Sequence, residues 1–131
     1  MQLPTLLSIT PIYIAILGLL FIPVTLRVGL YRVKTKIFIG TGDDPELLRR
    51  IRGQGNFIET VPMALFLFVA MELVGAKDAW LHALCIALIF GRICHYLAMT
   101  ELGPKVLRPI GMITTITTIL VSSLWILINA L

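Results

Sequence analysis

The stretch from Leu3 to Leu26 reads LPTLLSITPIYIAILGLLFIPVTL and contains no charged residue. A helix needs about 20 apolar residues to cross the hydrocarbon core of a bilayer, and this stretch meets that length. No basic segment precedes it and it is longer than the apolar core of a signal peptide, so we expect a retained span rather than a cleaved leader. The stretch therefore predicts a membrane protein.

Three further apolar stretches predict three more membrane spans. The second helix is expected to begin ahead of its span, because Asp44 is a favourable N-cap and Pro45 suits the first helical position. The alternation of apolar and polar residues typical of strands is absent, which favours helices. We predict an all-α fold, a single domain over residues 1–131 that forms an up-down bundle of four transmembrane helices. The expected helices cover about residues 3–26, 45–75, 79–99 and 109–131.

The composition agrees with residence in a membrane. Hydrophobic residues make up 58% of the chain and charged residues only 14%, and the mean hydropathy is +0.97. A soluble domain of this size with so few charges would expose large apolar patches. The net charge of +4 does not indicate a nucleic-acid partner, because the basic residues are segregated along the chain.

The basic residues gather in the connections that precede the second and the fourth predicted helices. By the positive-inside rule these connections lie in the cytoplasm and both termini lie outside. Membrane lipids are then the expected surroundings of the bundle. The residues are Arg27, Arg32, Lys34, Lys36, Arg49, Arg50 and Arg52 in the first connection, and Lys105 and Arg108 in the second.

The cysteines Cys85 and Cys94 are not expected to form a disulfide or a metal site. They lie nine positions apart in one apolar segment, so at about 100° per residue they point to opposite sides of a helix. We expect both to be small buried apolar residues. A thiol–quinone redox protein, which needs paired cysteines, is therefore disfavoured.

A polar stripe on the second predicted helix is the main functional signal. Arg49, Arg52, Asn56 and Glu59 fall within an arc of roughly 80° when each residue turns the helix by about 100°. Because an acid that faces lipid is costly, we expect the stripe to face other helices. The third predicted helix carries a second polar set on one side, consisting of Arg92, His95 and Tyr96.

Two interpretations of these polar residues stay open. In the first, they form a buried ion-pair network that fixes helix packing, with Glu59 supplying the carboxylate that Arg92 needs, or the arginines reach to the interface. In the second, they line an anion-binding cavity that opens to the cytoplasm. The arginines then hold carboxylates, while Asn56 and Glu59 orient the other end of a small zwitterion.

The order of these residues resembles the MAPEG superfamily, the membrane-associated proteins in eicosanoid and glutathione metabolism. The resemblance rests on the pattern Arg-x-x-x-Asn-x-x-Glu-x-x-Pro from Arg52 to Pro62, and on Gly91 and Arg92 followed by His95. It covers most of the chain and is closer to the small bacterial branch of the superfamily.

The resemblance implies a homotrimer in a bacterial inner membrane that binds glutathione, as a co-substrate, between neighbouring protomers near the cytoplasmic face. It implies a glutathione transferase or peroxidase that acts in detoxification on hydrophobic electrophiles or lipid hydroperoxides. Arg108 or Arg92 is expected to stabilise the reactive thiolate. The residues expected to line the glutathione site are Arg27, Arg49, Arg52, Asn56, Glu59, Arg92, His95 and Tyr96.

Three positions depart from the family pattern. Leu48 stands where several relatives have an acid, Met99 replaces a tyrosine, and Gly111 stands where the thiolate-stabilising arginine is expected. These departures keep a second hypothesis open, a non-catalytic scaffold of the same fold that binds a lipid, glutathione or a membrane partner. A third, a small exporter of hydrophobic cations, is disfavoured because residues 3–26 lack the acid that proton coupling needs.

Overall fold

Four long helices make up most of the computed structural model, which describes residues 6–131. No strand occurs in that part of the chain. Each of the four helices is long and apolar enough to cross a membrane, so the predicted all-α bundle is confirmed. The helices are α1 (Thr10–Thr35), α2 (Pro45–Val74), α3 (Asp78–Met99) and α4 (Leu107–Ala130).

Contacts at the two ends of the bundle show that consecutive helices run in opposite directions. The start of α1 lies beside the end of α2, where the carboxylate of Glu72 accepts hydrogen bonds from the backbone N–H groups of Ser8 and Thr10 at 2.6 and 2.8 Å. At the opposite end, Arg49 near the start of α2 lies 3.6 Å from Glu101, which follows α3. This second end carries the basic connections, and we refer to it as the basic end.

The first helix differs from its predicted bounds of 3–26. It covers Thr10–Thr35, while residues 1–5 lie outside the described part of the chain. Pro11 stands in the first turn, where proline is favoured because the N–H group it lacks would have no partner inside the helix. The helix continues past Leu26 because the arginines and lysines that follow end the apolar run but are good helix formers. The helix α1 and its apolar span therefore end at different residues.

The predicted start of α2 is confirmed. The side chain of Asp44 accepts hydrogen bonds from the backbone N–H groups of Glu46 and Leu47 at 2.9 and 3.0 Å. The hydrogen bond from Leu47 is the main reason that the pKa of Asp44 lies below its usual value. At the other end, Gly75 caps the helix with a φ of 93°, a conformation that glycine adopts without strain.

The apolar core lies among α1, α2 and α3. The free cysteines Cys85 and Cys94 are both buried, which confirms the prediction that they act as small apolar residues. The largest fully buried apolar side chains are Leu17, Leu47, Phe68, Met71, Leu81 and Leu88.

Close contact between α3 and α4 depends on two glycines. A Cβ atom on Gly111 would lie 2.6 Å from the backbone nitrogen and 2.7 Å from the Cβ atom of His95, so a larger residue does not fit. A Cβ atom on Gly91 would lie 3.0 Å from the carbonyl oxygen of Gly111. Hydroxyl groups buried along α4 donate to carbonyl groups of their own helix, at 2.9 Å for Thr115 and 2.7 Å for Thr118 and Ser122.

Candidate functional site

Arg92 forms a buried hydrogen-bond network that joins three helices. The residue lies on α3, is 3% exposed, and donates from Nη1 to the amide oxygen of Asn56 and, at 3.0 Å, to the hydroxyl of Thr60 on α2. It also donates from Nη2 to the carbonyl oxygen of Gly111 on α4 at 3.1 Å. Its Nε atom is buried and has no partner among the described residues. The network holds α2, α3 and α4 together.

The expectation that Glu59 pairs with Arg92 is wrong. Glu59 is exposed on the surface of α2, and none of the ion pairs among residues 6–131 involves it. Asn56 and Thr60 share one face of the helix, whereas Glu59 lies about 60° away from Asn56 around the helix axis. The packing of α2 therefore turns an amide and a hydroxyl, rather than the carboxylate, towards Arg92.

Two charged side chains of the polar stripe lie on the outer surface of α2. Arg52 and Glu59 are both exposed, and they are two turns apart on one side of the helix. Among the described residues, only Arg49 and Asn56 of the stripe form ion pairs or hydrogen bonds with side chains outside α2. Arg49 pairs with Glu101, and Asn56 accepts from Arg92. The expectation that the stripe faces other helices therefore holds within the protomer for half of its residues.

His95 and Tyr96 lie one turn beyond Arg92, towards the basic end. His95 is buried against Gly111. The ring of Tyr96 packs on Gly53, and the guanidinium of Arg27 lies 6.0 Å from its centroid, within the range of a cation–π contact. The hydroxyl of Tyr96 is buried without a hydrogen-bond partner in the described part of the chain.

A polar cavity of about 420 Å³ opens at the basic end, between the start of α2 and the link from α3 to α4. Arg49 and Arg108, both predicted site residues, line this cavity. Arg49 donates to Glu46 at 3.0 Å and lies 3.6 Å from Glu101. The residues that line the cavity, which we call the basic-end cavity, are Arg49, Ala98, Met99, Glu101, Lys105 and Arg108.

Two lining residues of the basic-end cavity, Glu101 and Lys105, were missed as site residues from the sequence. Lys105 entered only as a charge that orients the chain in the membrane. The available signal was that the link between α3 and α4 lies at the same face of the membrane as the start of α2. A short link of this kind brings its charged side chains close to Arg49, as the contact between Arg49 and Glu101 shows.

An apolar cavity of about 500 Å³ lies between α1 and α2, at the depth of the membrane span. Gly18, which has no side chain to fill it, lies on the α1 side, and Pro62 lies on the α2 side. The other lining residues are Ile14, Leu17, Phe21, Phe57, Ile58, Val61 and Leu65.

One chain thus brings the predicted residues together only in groups. Arg49 and Arg108 share the basic-end cavity. Arg27 lies against Tyr96. Arg52 and Glu59 face outward. The remaining three predicted residues, Asn56, Arg92 and His95, belong to the packed interior between α2, α3 and α4.

Comparison with known proteins agrees with this architecture. The model of the MAPEG family matches residues 10–128, which cover α1, α2, α3 and all but the last two residues of α4. The chain belongs to the MAPEG family. This MAPEG protein is 32% identical over 88 residues to the inner membrane protein YecN of Escherichia coli strain K12, a match that covers 67% of each chain. The protein of the same name from Escherichia coli O6:H1 matches equally well. No solved structure matches the chain.

The residues of the family pattern take different places in the fold of this MAPEG protein. Its four apolar helices form an integral membrane bundle. The pattern from Arg52 to Pro62, which first suggested the family, contributes Asn56 to the buried network and leaves Arg52 and Glu59 on the surface. Packing within the protomer therefore accounts for only part of the family pattern.

Proposed function

We propose that this MAPEG protein is a glutathione transferase or glutathione-dependent peroxidase of a bacterial inner membrane, acting on hydrophobic electrophiles or lipid hydroperoxides. The inner membrane location follows the name of the relative YecN. The observation that carries the proposal is the basic-end cavity, because its charges complement those of glutathione.

Glutathione carries two carboxylates and one ammonium group at neutral pH, so its site needs more cations than anions. The basic-end cavity offers three cations, Arg49, Lys105 and Arg108, and one carboxylate, Glu101. The guanidinium group of arginine binds a carboxylate through paired hydrogen bonds, and a carboxylate binds an ammonium group. The residues present therefore fit this ligand, with Arg49 and Lys105 holding its carboxylates and Glu101 holding its amine.

Arg108 is the residue that we assign to the thiol. It lies in the first turn of α4 and is exposed, and the positive end of the helix dipole adds to its charge. A cation close to sulfur favours the thiolate over the thiol. Glutathione supplies the thiol, which loses its proton to water and forms a carbon–sulfur bond with the electrophile as the leaving group departs.

The second substrate would reach the site from the bilayer. The apolar cavity between α1 and α2 lies at membrane depth and is lined almost entirely by apolar residues. A hydrophobic electrophile or a lipid hydroperoxide dissolved in the membrane matches this lining. Water-soluble glutathione would enter from the basic end, so the two substrates would meet near the surface of the hydrocarbon core.

The exposed charges on α2 support assembly into a homotrimer, as the family resemblance implies. Glu59 would face acyl chains in an isolated protomer, and a charge at that depth is unfavourable by a few kcal/mol or more. Arg52 is exposed on the same surface, two turns closer to the basic end. A neighbouring copy would cover them and add their charges to the site. Glutathione would then bind between protomers.

Titration calorimetry of the detergent-solubilised protein with glutathione tests the proposal. We expect millimolar or tighter binding, and a dissociation constant about tenfold higher in Lys105→Gln, because a charged hydrogen bond to a carboxylate contributes about 1.5–3 kcal/mol. Lys77→Gln is the control, since Lys77 is a cation at the opposite end of the bundle. Absence of heat from wild type at millimolar glutathione would end the proposal.

The pH dependence of conjugation to a chlorinated nitroaromatic then tests the assignment of Arg108. With the cation of Arg108 in place, conjugation should reach half its maximal rate at a pH below the ordinary thiol pKa of about 8.5. In Arg108→Gln the midpoint should move up towards that value. An unchanged midpoint would show that Arg108 does not act on sulfur.

A non-catalytic scaffold is the second candidate function, and Gly111 is the observation that favours it. Gly111 stands where the family pattern has its thiolate-stabilising arginine, and contact with His95 leaves no room there for a side chain. Wild type that binds glutathione in the calorimeter but gives no conjugation or peroxide reduction would support this candidate against the enzyme.

A further inference from the structure

The connection between α1 and α2 presents two large apolar side chains beyond the membrane span. Phe38 is 67% exposed and Ile39 is 93% exposed, and we call this pair the apolar tip. Neighbouring apolar side chains with so much exposed surface are unfavourable in water, and such patches commonly mark a site of interaction. The tip therefore needs a partner.

A defined local structure holds the apolar tip. The guanidinium of Arg32, in the last turns of α1, donates to the carbonyl oxygens of Ile37 and Gly40, both at 2.9 Å. These two carbonyl groups flank Phe38 and Ile39. Gly40 has a φ of 67°, which a residue with a side chain would adopt with strain. The chain thus folds back on Arg32 and displays the two side chains outward.

The length of α1 places the apolar tip at the level of the lipid headgroups. Its 26 residues extend for about 39 Å at 1.5 Å per residue, close to the thickness of about 40–45 Å of a bilayer with its headgroup layers. Exposed apolar side chains also continue along α1 beyond Leu26, at Leu30 and Val33. The surface of α1 that suits lipid therefore extends almost to the tip.

Charges beside the tip identify the partner. Lys34 and Lys36 are exposed on either side of the end of α1, and each cation close to an anionic leaflet contributes about a fivefold factor to binding. A second copy of the chain is a poor partner here, because its own basic end would bring like charges together. We propose that Phe38 and Ile39 insert between the headgroups at the basic end, while Lys34 and Lys36 bind the phosphates of anionic phospholipids.

This contact would link the bilayer surface to the basic-end cavity. The connection continues from the apolar tip to Asp44, which caps α2, and Arg49 of the basic-end cavity follows within the first turns. A tip anchored among headgroups sets the position of these residues relative to the membrane surface. The inference does not depend on glutathione being the ligand.

A fluorescent label at the tip tests the insertion. Ile39→Cys in a Cys85→Ala, Cys94→Ala background is labelled and reconstituted in vesicles with or without phosphatidylglycerol in phosphatidylcholine. We expect quenching by lipids that carry a nitroxide near the headgroup, and little quenching by aqueous acrylamide. Phe38→Cys provides a second label position, and circular dichroism checks that each variant stays helical.

Neutralising Lys34 and Lys36 tests whether their charge strengthens insertion of the apolar tip. Lys34→Gln with Lys36→Gln should reduce insertion by roughly thirtyfold in vesicles that contain phosphatidylglycerol, from about fivefold for each lysine. In pure phosphatidylcholine the double variant should match wild type. Lys77→Gln, at the opposite end, should change nothing in either lipid.

Three outcomes would contradict the proposal. Quenching by acrylamide alone would show a tip in water, and protection from both quenchers would show a tip covered by protein, such as a second copy. Equal insertion of wild type and the double lysine variant in anionic vesicles would remove the assigned role of the phosphates.

Discussion

Arg92 shows how burial decides what a membrane arginine can do. Its position on α3 predicts a cation for the glutathione site, yet its two terminal nitrogens already donate to Asn56, Thr60 and the carbonyl group of Gly111. Arg108 is exposed and lines a cavity. The geometry therefore favours a packing role for Arg92 and a ligand-binding role for Arg108.

The contrast between these two arginines predicts opposite effects of the same substitution. Arg92→Gln should lower the free energy of unfolding by about 2 kcal/mol, because several hydrogen bonds of about 0.6 kcal/mol are lost and buried polar groups lose their donor. Arg108→Gln should change it by less than about 0.5 kcal/mol, as at most surface positions. Thermal unfolding in detergent measures both. Equal stability of Arg92→Gln and wild type would contradict the packing role.

At the scale of helices, the contact between α3 and α4 explains a departure from the family pattern. Gly111 packs against the backbone of α3, and its carbonyl oxygen accepts hydrogen bonds from Arg92 and from the hydroxyl of Thr115. A side chain at this position would push the helices apart. The glycine is therefore part of the packing of this bundle, and an arginine cannot be placed there without moving α4.

Two glycine substitutions test this account of helix packing. Gly111→Ala should destabilise the protein by about 1–3 kcal/mol, because overpacking displaces the neighbouring backbone. Gly18→Ala on α1 is the matched control, since its Cβ atom would have no neighbour within 4 Å, and it should be neutral or stabilising by up to about 1 kcal/mol. Similar unfolding temperatures for the two variants would contradict the close contact at Gly111.

At the scale of the whole molecule, most apolar side chains of the helices face outward, as lipid requires. The exposed surface of α2 is the exception, because it carries Glu59 at membrane depth and Arg52 two turns closer to the basic end. Met63 continues this surface one turn beyond Glu59. A second protomer that covers this surface would remove the charge of Glu59 from lipid, which is the physical reason to expect an oligomer.

Crosslinking between copies in the membrane checks which surface forms the interface. Met63→Cys and Phe90→Cys are matched, since each native residue is 55% exposed, one on α2 and one on α3. In a background without Cys85 and Cys94, a short bifunctional maleimide should link Met63→Cys into dimers severalfold faster than Phe90→Cys. Equal rates would argue against an interface on α2.

The amino-acid sequence by itself determined the class of fold and the family of the protein. Four apolar runs of sufficient length require four membrane helices, because an unpaired backbone cannot cross lipid. The cap at Asp44, the recurring polar residues from Arg52 to Pro62 and the segregated basic residues are equally local features. They predicted the start of α2 and the family without reference to any distant contact.

Only the tertiary structure decided which side chains meet. Periodicity gives the angle between Asn56 and Glu59 on one helix, but the rotation of that helix against its neighbours depends on the packing of the whole bundle, and it turned Asn56 inward and Glu59 outward. The cap that Glu72 provides for α1 joins residues more than sixty positions apart. No local pattern predicts such contacts, because they depend on the shapes of surfaces that come together only when the helices pack.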